Sequence, residues 1–460
     1  MSQRTIDQLT GETVELLQAL IRNQCVNEGT DESGHEFRSA ELLASFLDAP
    51  EVEITSFEPI PGRTSLVARY HGTDPTAPAL CLMGHTDVVP VSLDGWDIDP
   101  FAGERITSPD GVDEVWGRGA VDMLNLTSSM AVAFREIVQS GRRYPGDIVY
   151  FAVADEEHGG VNGAGYLVEN EWETLRCDYV LTEYGGTPMT TDEGTIVLMT
   201  TAEKGGSPRR LTVHGEPGHG SMPYLADSAL VKSAEIVQRL AEYNPGPQLD
   251  EMFAARVRAM GLSEEMQLRL LDSARLYDAL AELPTGLARN LHSCCHTSFS
   301  PNILNSGDKS NTIPDKAELV VDIRLVHGDT DEDVDAYLRE AVGEELMASV
   351  EVEPLFPNIE DLALAPSSSP TGTPVWNALV DAISVAYPGA EVLPSMVTGG
   401  TDARYFRRRG VPSYGAGLLS PQVPMAEFLN RFHGHNERID IDSLRLTTQL
   451  WLDVFDRLWA

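Results

Sequence analysis

The stretch 147-DIVYFAVADEEHGG-160 runs an almost unbroken apolar segment into three acidic residues, a histidine and two glycines. The apolar part reads as a short strand buried on both faces. Asp155, Glu156 and Glu157 follow it side by side, where their charges repel. A solvated turn accounts for such a cluster when it stands alone. It does not stand alone, because "ALCLM" stops at "GHTD" (84–87) and "DYVLT" stops at "EYGG" (183–186) in the same way. Between these runs lie helical patterns such as "NLTSSMAVAFREIVQSG" (125–141), apolar at every third or fourth position. Buried strands alternating with helices predict an α/β layer with a largely parallel sheet. In such layers, sites form at the carboxyl ends of the strands.

From about residue 205 the texture changes. Strand "RRLTVHG", helix "LADSALVKSAEIVQRLAEY", strand "AELVVDIRLV", helix "DEDVDAYLREAVG" and strand "SVEVEPLF" follow one another, with a helical insertion through roughly 250–290. One further strand near 297–304 completes a β-α-β-β-α-β unit. After the loop "LAPSSSPTGTP" (364–374), "VWNALVDAISVAY" resumes the first texture. The expected organisation is one domain made of residues 1–204 and 354–460, with a second unit, 205–353, inserted into it.

Composition narrows the functions. Acidic residues outnumber basic ones 71 to 33 among 460 residues, a formal charge of −38, which repels nucleic acid and anionic membranes. No run approaches the roughly 20 apolar residues of a membrane span, and the amphipathic first residues lack the pattern of a signal peptide. Five cysteines, odd in number and without CxxC spacing, read as free thiols. A soluble cytoplasmic protein acting on a small molecule is the expectation.

On a strand end successive side chains point to opposite sides, so Glu156 and Glu157 take different tasks. "LMGHTDVVP" places His85 and Asp87 two apart at another strand end, where a carboxylate holds an imidazole in its metal-binding tautomer. "WGRGAVDMLN" puts Asp122 before a helix, where capping is the simpler reading. "VLTEYGG" offers Glu183, and "RFHGHNERIDI" offers His433 with His435 beside it. Two imidazoles and three carboxylates from separate strand ends form an N/O ligand set suited to zinc, manganese or cobalt. Five ligands with one bridging carboxylate would hold two ions, leaving Glu156 free to act as a base.

These blocks resemble the dinuclear zinc peptidase family of aminoacylases, glutamate carboxypeptidases, carnosinase-type dipeptidases and succinyl-diaminopimelate desuccinylases. The likeness runs from "GRTSLVARYHG" through "GHTDVVP", "GWDIDPF", "GRGAVDM", "ADEEHGG", "TEYGG", "GEPGHGSMP", "NTIPDKAELVVDIR" and "GGTDARYF" to "HGHNERI". It implies that His85 and Glu183 hold one Zn2+ and Glu157 and His433 the other. Asp122 bridges, Asp87 orients His85, and Glu156 is the general base. His433 is preferred to His435 because the family's terminal motif is His-x-x-Asp/Asn-Glu.

The inserted unit would be a ferredoxin-like lid that also serves for homodimerisation. There His219 resembles an oxyanion-stabilising histidine, often donated by a partner subunit. Asn311, Arg324, Gly399 and Gly400 resemble the groups that grip a substrate carboxylate. The activity implied is hydrolysis of the amide bond of an N-acyl amino acid or short peptide. Two departures stand out: the longer insertion at 243–296, and its end "LHSCCH", whose histidines and cysteines are too closely spaced for an ordinary zinc clip. A dinucleotide-dependent oxidoreductase fails at "GGVNGAG", which breaks GxGxxG. A non-catalytic carboxylate binder is the remaining alternative.

Overall fold

The computed structural model describes residues 4–191, 194–355, 365–423, 427–428 and 430–460. Its largest sheet has ten strands, and at its centre Ile148–Val153, Leu80–His85, Tyr179–Thr182 and Ser413–Gly415 run parallel. Every residue of Leu80–His85 and Ile148–Val153 is buried, as expected of strands covered on both faces. Antiparallel strands Ser65–Tyr70 and Val52–Phe57 extend one side, and Gly194–Glu203 extends the other.

Helices Ile6–Arg22, Leu124–Ser140, Pro374–Ala386 and Ile441–Leu458 cover one face through a core that includes Leu17, Phe134, Leu379 and Trp451. Shorter helices at Tyr166–Asn170 and Ala403–Arg408 cover the other, around Phe151, Leu167 and Phe406. Helix Leu124–Ser140 approaches the sheet beside the site because residue 84 is glycine. A Cβ there would lie 2.5 Å from Thr127 Oγ1, which instead donates to the His85 carbonyl at 2.8 Å. This contact ties the helix to the strand end that carries His85.

A second, five-stranded sheet comprises Gly205–Gly206, Lys316–Leu325, Arg209–His214, Val350–Pro354 and Ser298–Ser306. With helices Ala229–Glu242 and Asp331–Val342 against it, the chain order after the short strand Gly205–Gly206 is strand, helix, two strands, helix, strand. The strict alternation of burial along Lys316–Leu325 marks a sheet with one covered face. The insertion folds as helices Glu251–Ala259, Glu264–Leu270, Leu276–Ala281 and Thr285–Cys295. Its apolar residues do not extend this second core. Phe253 and Val257 share a cluster with Ala202 and Met396, and Ala255 and Ala259 share one with Leu198 and Leu393. The insertion is therefore a wall on the edge of the main sheet. Among the described residues no helix is long and apolar enough to cross a membrane.

Candidate metal centre

The three acidic or histidine-bearing turns lie at the same end of parallel neighbours, so the chain brings His85, Glu156, Glu157 and Glu183 together. Glu156–His158 forms a 3-10 turn, entered through Asp155 at φ 71°. The alternation expected of a continuing strand is therefore not what separates the two glutamates. The turn forms because the Asp87 carboxylate accepts both backbone N–H groups, from Glu156 at 3.3 Å and Glu157 at 3.1 Å. Asn27 Nδ2 donates to the same carboxylate at 2.8 Å. His85 Nδ1 sits 2.9 Å from the Asp87 carbonyl oxygen and 3.6 Å from its carboxylate. The imidazole is thus aligned chiefly by the Asp87 backbone, and the Asp87 side chain sets the acidic turn.

Asp122 stands between the two histidines. Its Oδ1 is 3.3 Å from His85 Nε2 and its Oδ2 is 3.1 Å from His433 Nε2. It caps no helix, since the following helix begins at Leu124 with Met123 at its N-cap. Glu157 Oε2 lies 3.4 Å from His433 Nε2, and Glu183 Oε2 and Glu156 Oε2 lie 3.8 and 3.9 Å from His85 Nε2. His433, at φ 54°, turns toward this group, whereas the His435 ring lies over Gly95. Potential ligand atoms of His85, Asp122 and Glu157, and of His85, Glu156 and Glu183, fall within 4.8 Å of one another in each set.

The electrostatics call for cations. Glu156 and Glu183 are pushed well above the usual carboxylate range, first by burial and then by neighbouring carboxylates, while His85 acts the other way. Burial also opposes ionisation of Asp122, but hydrogen bonds with His433 and His85 outweigh it and hold it below that range. His433 is raised to about 10 by Asp122 and Glu157. No Lys or Arg is paired with any of these four carboxylates among the described residues, and Glu157 Oε1 is buried without a partner. A divalent cation between imidazole and carboxylate supplies the missing positive charge, and the N/O donor set fits it.

Several supporting residues were not assigned roles from sequence. Glu437 Oε1 accepts the backbone N–H groups of Val121 at 2.7 Å and Asp122 at 3.1 Å, while its other oxygen pairs with buried Arg118 at 2.6 Å. Tyr184 donates to Asp122 Oδ2 at 3.1 Å. Asn27 Oδ1 accepts from Arg63, which also pairs with Glu36 at 2.7 Å. The terminal "NER" offered a signal for Glu437, and the aromatic after Glu183 one for Tyr184. Nothing in the sequence joins Asn27, Glu36 and Arg63.

A cleft of about 810 Å3 opens over the centre, lined by Asp122, Glu156, Glu157 and His433 on one side and by Asn302, Asp322 and Arg324 on the other. Gly399, Gly400 and Arg404 line it as well. The Gly399–Gly400 turn is anchored by buried Glu203, whose Oε2 accepts from Thr401 N at 2.5 Å and Thr401 Oγ1 at 2.9 Å. Arg324 pairs with Asp322 of its own strand at 3.0 Å. His219 and Asn311 are not in the cleft lining. They sit together on the Gly218–His219 and Thr312–Ile313 ribbon, where Gly220 N donates to Asn311 O at 2.8 Å and Ser221 Oγ lies 2.7 Å from His219 Nδ1. The "LHSCCH" segment uses its groups internally: His296 Nδ1 lies 3.0 Å from the His292 carbonyl and Nε2 2.8 Å from Tyr277 Oη. Neither ring nitrogen of His296 is left for a metal.

Residues 81–457 match the model of Peptidase family M20/M25/M40. The chain belongs to this family. It is 27% identical over 405 residues to the N-fatty-acyl-amino acid synthase/hydrolase PM20D1 of Xenopus tropicalis, covering 85% of this chain and 75% of that one. In structure it is similar to human carnosine dipeptidase 1, with a TM-score of 0.69 at 18% identity over 98% of this chain and 97% of the other. A dinuclear metal-binding M20 peptidase of Bacillus subtilis superposes with a TM-score of 0.58 at 14% identity, covering 98% and 99% of the two chains. The M20 fold accounts for the shared sheet.

Proposed function

We propose that this M20 protein is a two-zinc hydrolase of the amide bond of small N-acyl amino acids or short peptides with a free carboxylate. The observation that carries the reading is the bridging position of Asp122, one oxygen at each of two imidazoles, within a largely buried group of carboxylates that forms no ion pair with Lys or Arg among the described residues. His85 and Glu183 would hold one ion and Glu157 and His433 the other, with Asp122 shared. Bound there, the ions would supply Lewis acidity that lowers the pKa of a water and polarises a carbonyl. Glu156 lines the open cleft, whereas Glu183 lies behind it. That separates two glutamates whose distances to His85 are nearly equal. Glu156 would take the proton from the attacking water and deliver it to the departing amine.

The substrate's carboxylate would be held by Arg324, whose planar fork suits bidentate pairing, and by N–H groups at Gly399 and Gly400. The unit 205–353 would act as the lid on a catalytic domain of residues 1–204 and 354–460, and would pair with a second copy. Support for pairing comes from Met222, Tyr224 and Leu225, all exposed, next to His219 and Asn311. Strand Ser298–Ser306 bonds only to Lys316–Leu325 in the sheet, leaving its other edge open among the described residues. His219 and Asn311 would then complete the cleft of the partner. The five buried free thiols fit a cytoplasmic location.

The test is amine release from N-acyl amino acids and dipeptides, each beside its carboxyl-amidated analogue, before and after chelation. Cleavage restored by zinc and confined to free carboxylates is the expected result. Metal-loaded protein that binds the panel without cleaving it would make the chain a carboxylate binder.

A further inference from the structure

Behind Glu183 a second chamber of about 320 Å3 opens off the metal cleft, with Tyr184 and Gly399 lining both spaces. Its walls are mainly apolar: Leu126, Leu198, Met396, Leu419, Phe428 and Phe432. Phe432 stacks on Tyr184 at 5.2 Å between ring centroids, and Phe428 meets Phe432 edge-on at 5.4 Å, which gives the mouth an aromatic rim. The sequence marked the long insertion as a departure without giving it a task. Its helices Glu251–Ala259 and Thr285–Cys295 supply Arg256 and Asn290 to this chamber.

Arg256 keeps its charge, but its N–H groups are turned into the wall. Its guanidinium donates to Asn290 Oδ1 at 3.0 Å, to Ser395 Oγ at 2.8 Å and to the Met396 carbonyl at 3.4 Å, so its donors are spent closing the wall. The same contacts bolt the insertion to strand Glu391–Val397 of the main sheet. Among the described lining residues Glu183 carries the other charge, and it lies at the metal end. Asn125 Oδ1 is buried without a protein partner and is the wall's one such acceptor, a place for a water or a substrate N–H.

We infer that this chamber receives the acyl half of the substrate and selects an uncharged aliphatic acyl group of roughly six to twelve carbons. This rests on the hydrolase reading above and specifies its substrate. Three features argue for it. Arg324 and Arg404 lie on the cleft side, so a carboxylate-bearing half is served there and the other half must turn toward Glu183. Among its described lining residues the chamber offers no free carboxylate, apart from the proposed ligand Glu183, to receive an N-terminal ammonium, which disfavours an aminoacyl group. Its volume is about twice that of an apolar cavity of ~150 Å3 that takes up benzene, which sets the number of carbons.

The experiment is a series of N-acyl derivatives of one amino acid from acetyl to hexadecanoyl, with a dipeptide bearing N-terminal leucine, assayed on zinc-loaded enzyme. The kcat/KM is expected to rise by about fourfold per methylene over the first several carbons, then to level or fall once the chamber is full. The leucyl dipeptide is expected to fall well below the hexanoyl compound. L198W is expected to lower the decanoyl-to-acetyl ratio of kcat/KM at least tenfold against wild type. A flat series, or a leucyl dipeptide cleaved faster than every acyl compound, would overturn the acyl assignment while leaving the hydrolase reading intact. No zinc-dependent release from any compound would take down both.

Discussion

Residues that the sequence gathers into one site live in two different environments. At the strand ends, His85, Asp122, Glu157 and Glu183 are braced from behind: Glu437 holds the Asp122 backbone, Asp87 holds the acidic turn, and Thr127 holds the His85 carbonyl. On the second sheet and its ribbon, Arg324 pairs with its neighbour Asp322, and His219 and Asn311 interact locally away from the cleft. The difference separates what one chain preorganises by burial from what needs a further element to approach. A cluster of like charges is placed by the fold. The groups proposed to meet a substrate's far end are left free to reach it.

The sharpest way to break this comparison is at Glu156, the largely buried carboxylate that faces the cleft. E156Q keeps size and shape but removes the proposed proton acceptor. Turnover should fall by roughly 10²–10⁴-fold, the range for general-base catalysis, while bound metal stays unchanged by elemental analysis. Residual activity within tenfold of wild type would mean that the proton travels another way.

Glu437 tests the bracing itself. E437A leaves Arg118, 3% exposed, without its partner and frees two backbone N–H groups. The expected cost is about 3–5 kcal/mol of stability, read from urea unfolding. The milder E437Q should lower metal affinity by roughly ten- to a hundredfold, because Asp122 loses part of its alignment. An unchanged affinity would show that Asp122 is held by the two histidines alone.

Arg324 probes the other environment. Because its side chain is half-exposed and, among the described residues, bonds only to Asp322, R324A should leave stability and metal content alone. A hydrogen-bonded charge pair is worth about 1.5–3 kcal/mol, so KM for free-carboxylate substrates should rise by roughly ten- to a hundredfold. KM for amidated analogues should not move. Equal rises for both would place Arg324 in general packing and erase the distinction between the two regions.

These contrasts also explain what was legible in the sequence. Strand Ile148–Val153 and its turn were readable because a strand buried on both faces has no polar position, and the polar residues at its end stand out against it. His85, Glu157 and Glu183 were likewise visible as polar residues at apolar ends, and His433 through its likeness to the family's terminal motif. The brace Asn27–Arg63–Glu36 was not, because its members lie far apart in the chain and each alone resembles a surface residue. From sequence the acidic turn reads as the end of a continuing strand, since nothing local tells that Asp87 will take its N–H groups. Chain order alone puts the insertion in the lid. Only its packing shows that Phe253 and Ala255 face the main sheet.

The smallest effect sharpens the comparison through histidines, one residue type in opposite surroundings. His85, among carboxylates, is raised well above its ordinary value: burial opposes the proton, and Asp122 with the neighbouring glutamates outweighs it. His296, buried in the insertion against Tyr277, is lowered to about 4, first by burial and then by His292. Its folded pKa lies below the unfolded one, so between about pH 4 and 6.5 the unfolded chain binds more protons and stability rises with pH. Going from pH 7 to 5 should cost on the order of 1–2 kcal/mol at this residue. The measurement is urea unfolding at both pH values for wild type and H296F, because other groups titrate in both proteins and cancel in the difference. A smaller pH dependence in the variant is the expected outcome. An equal one would mean that the His292–His296–Tyr277 cluster opens before the chain unfolds and that the wall of the acyl chamber is looser than its packing indicates.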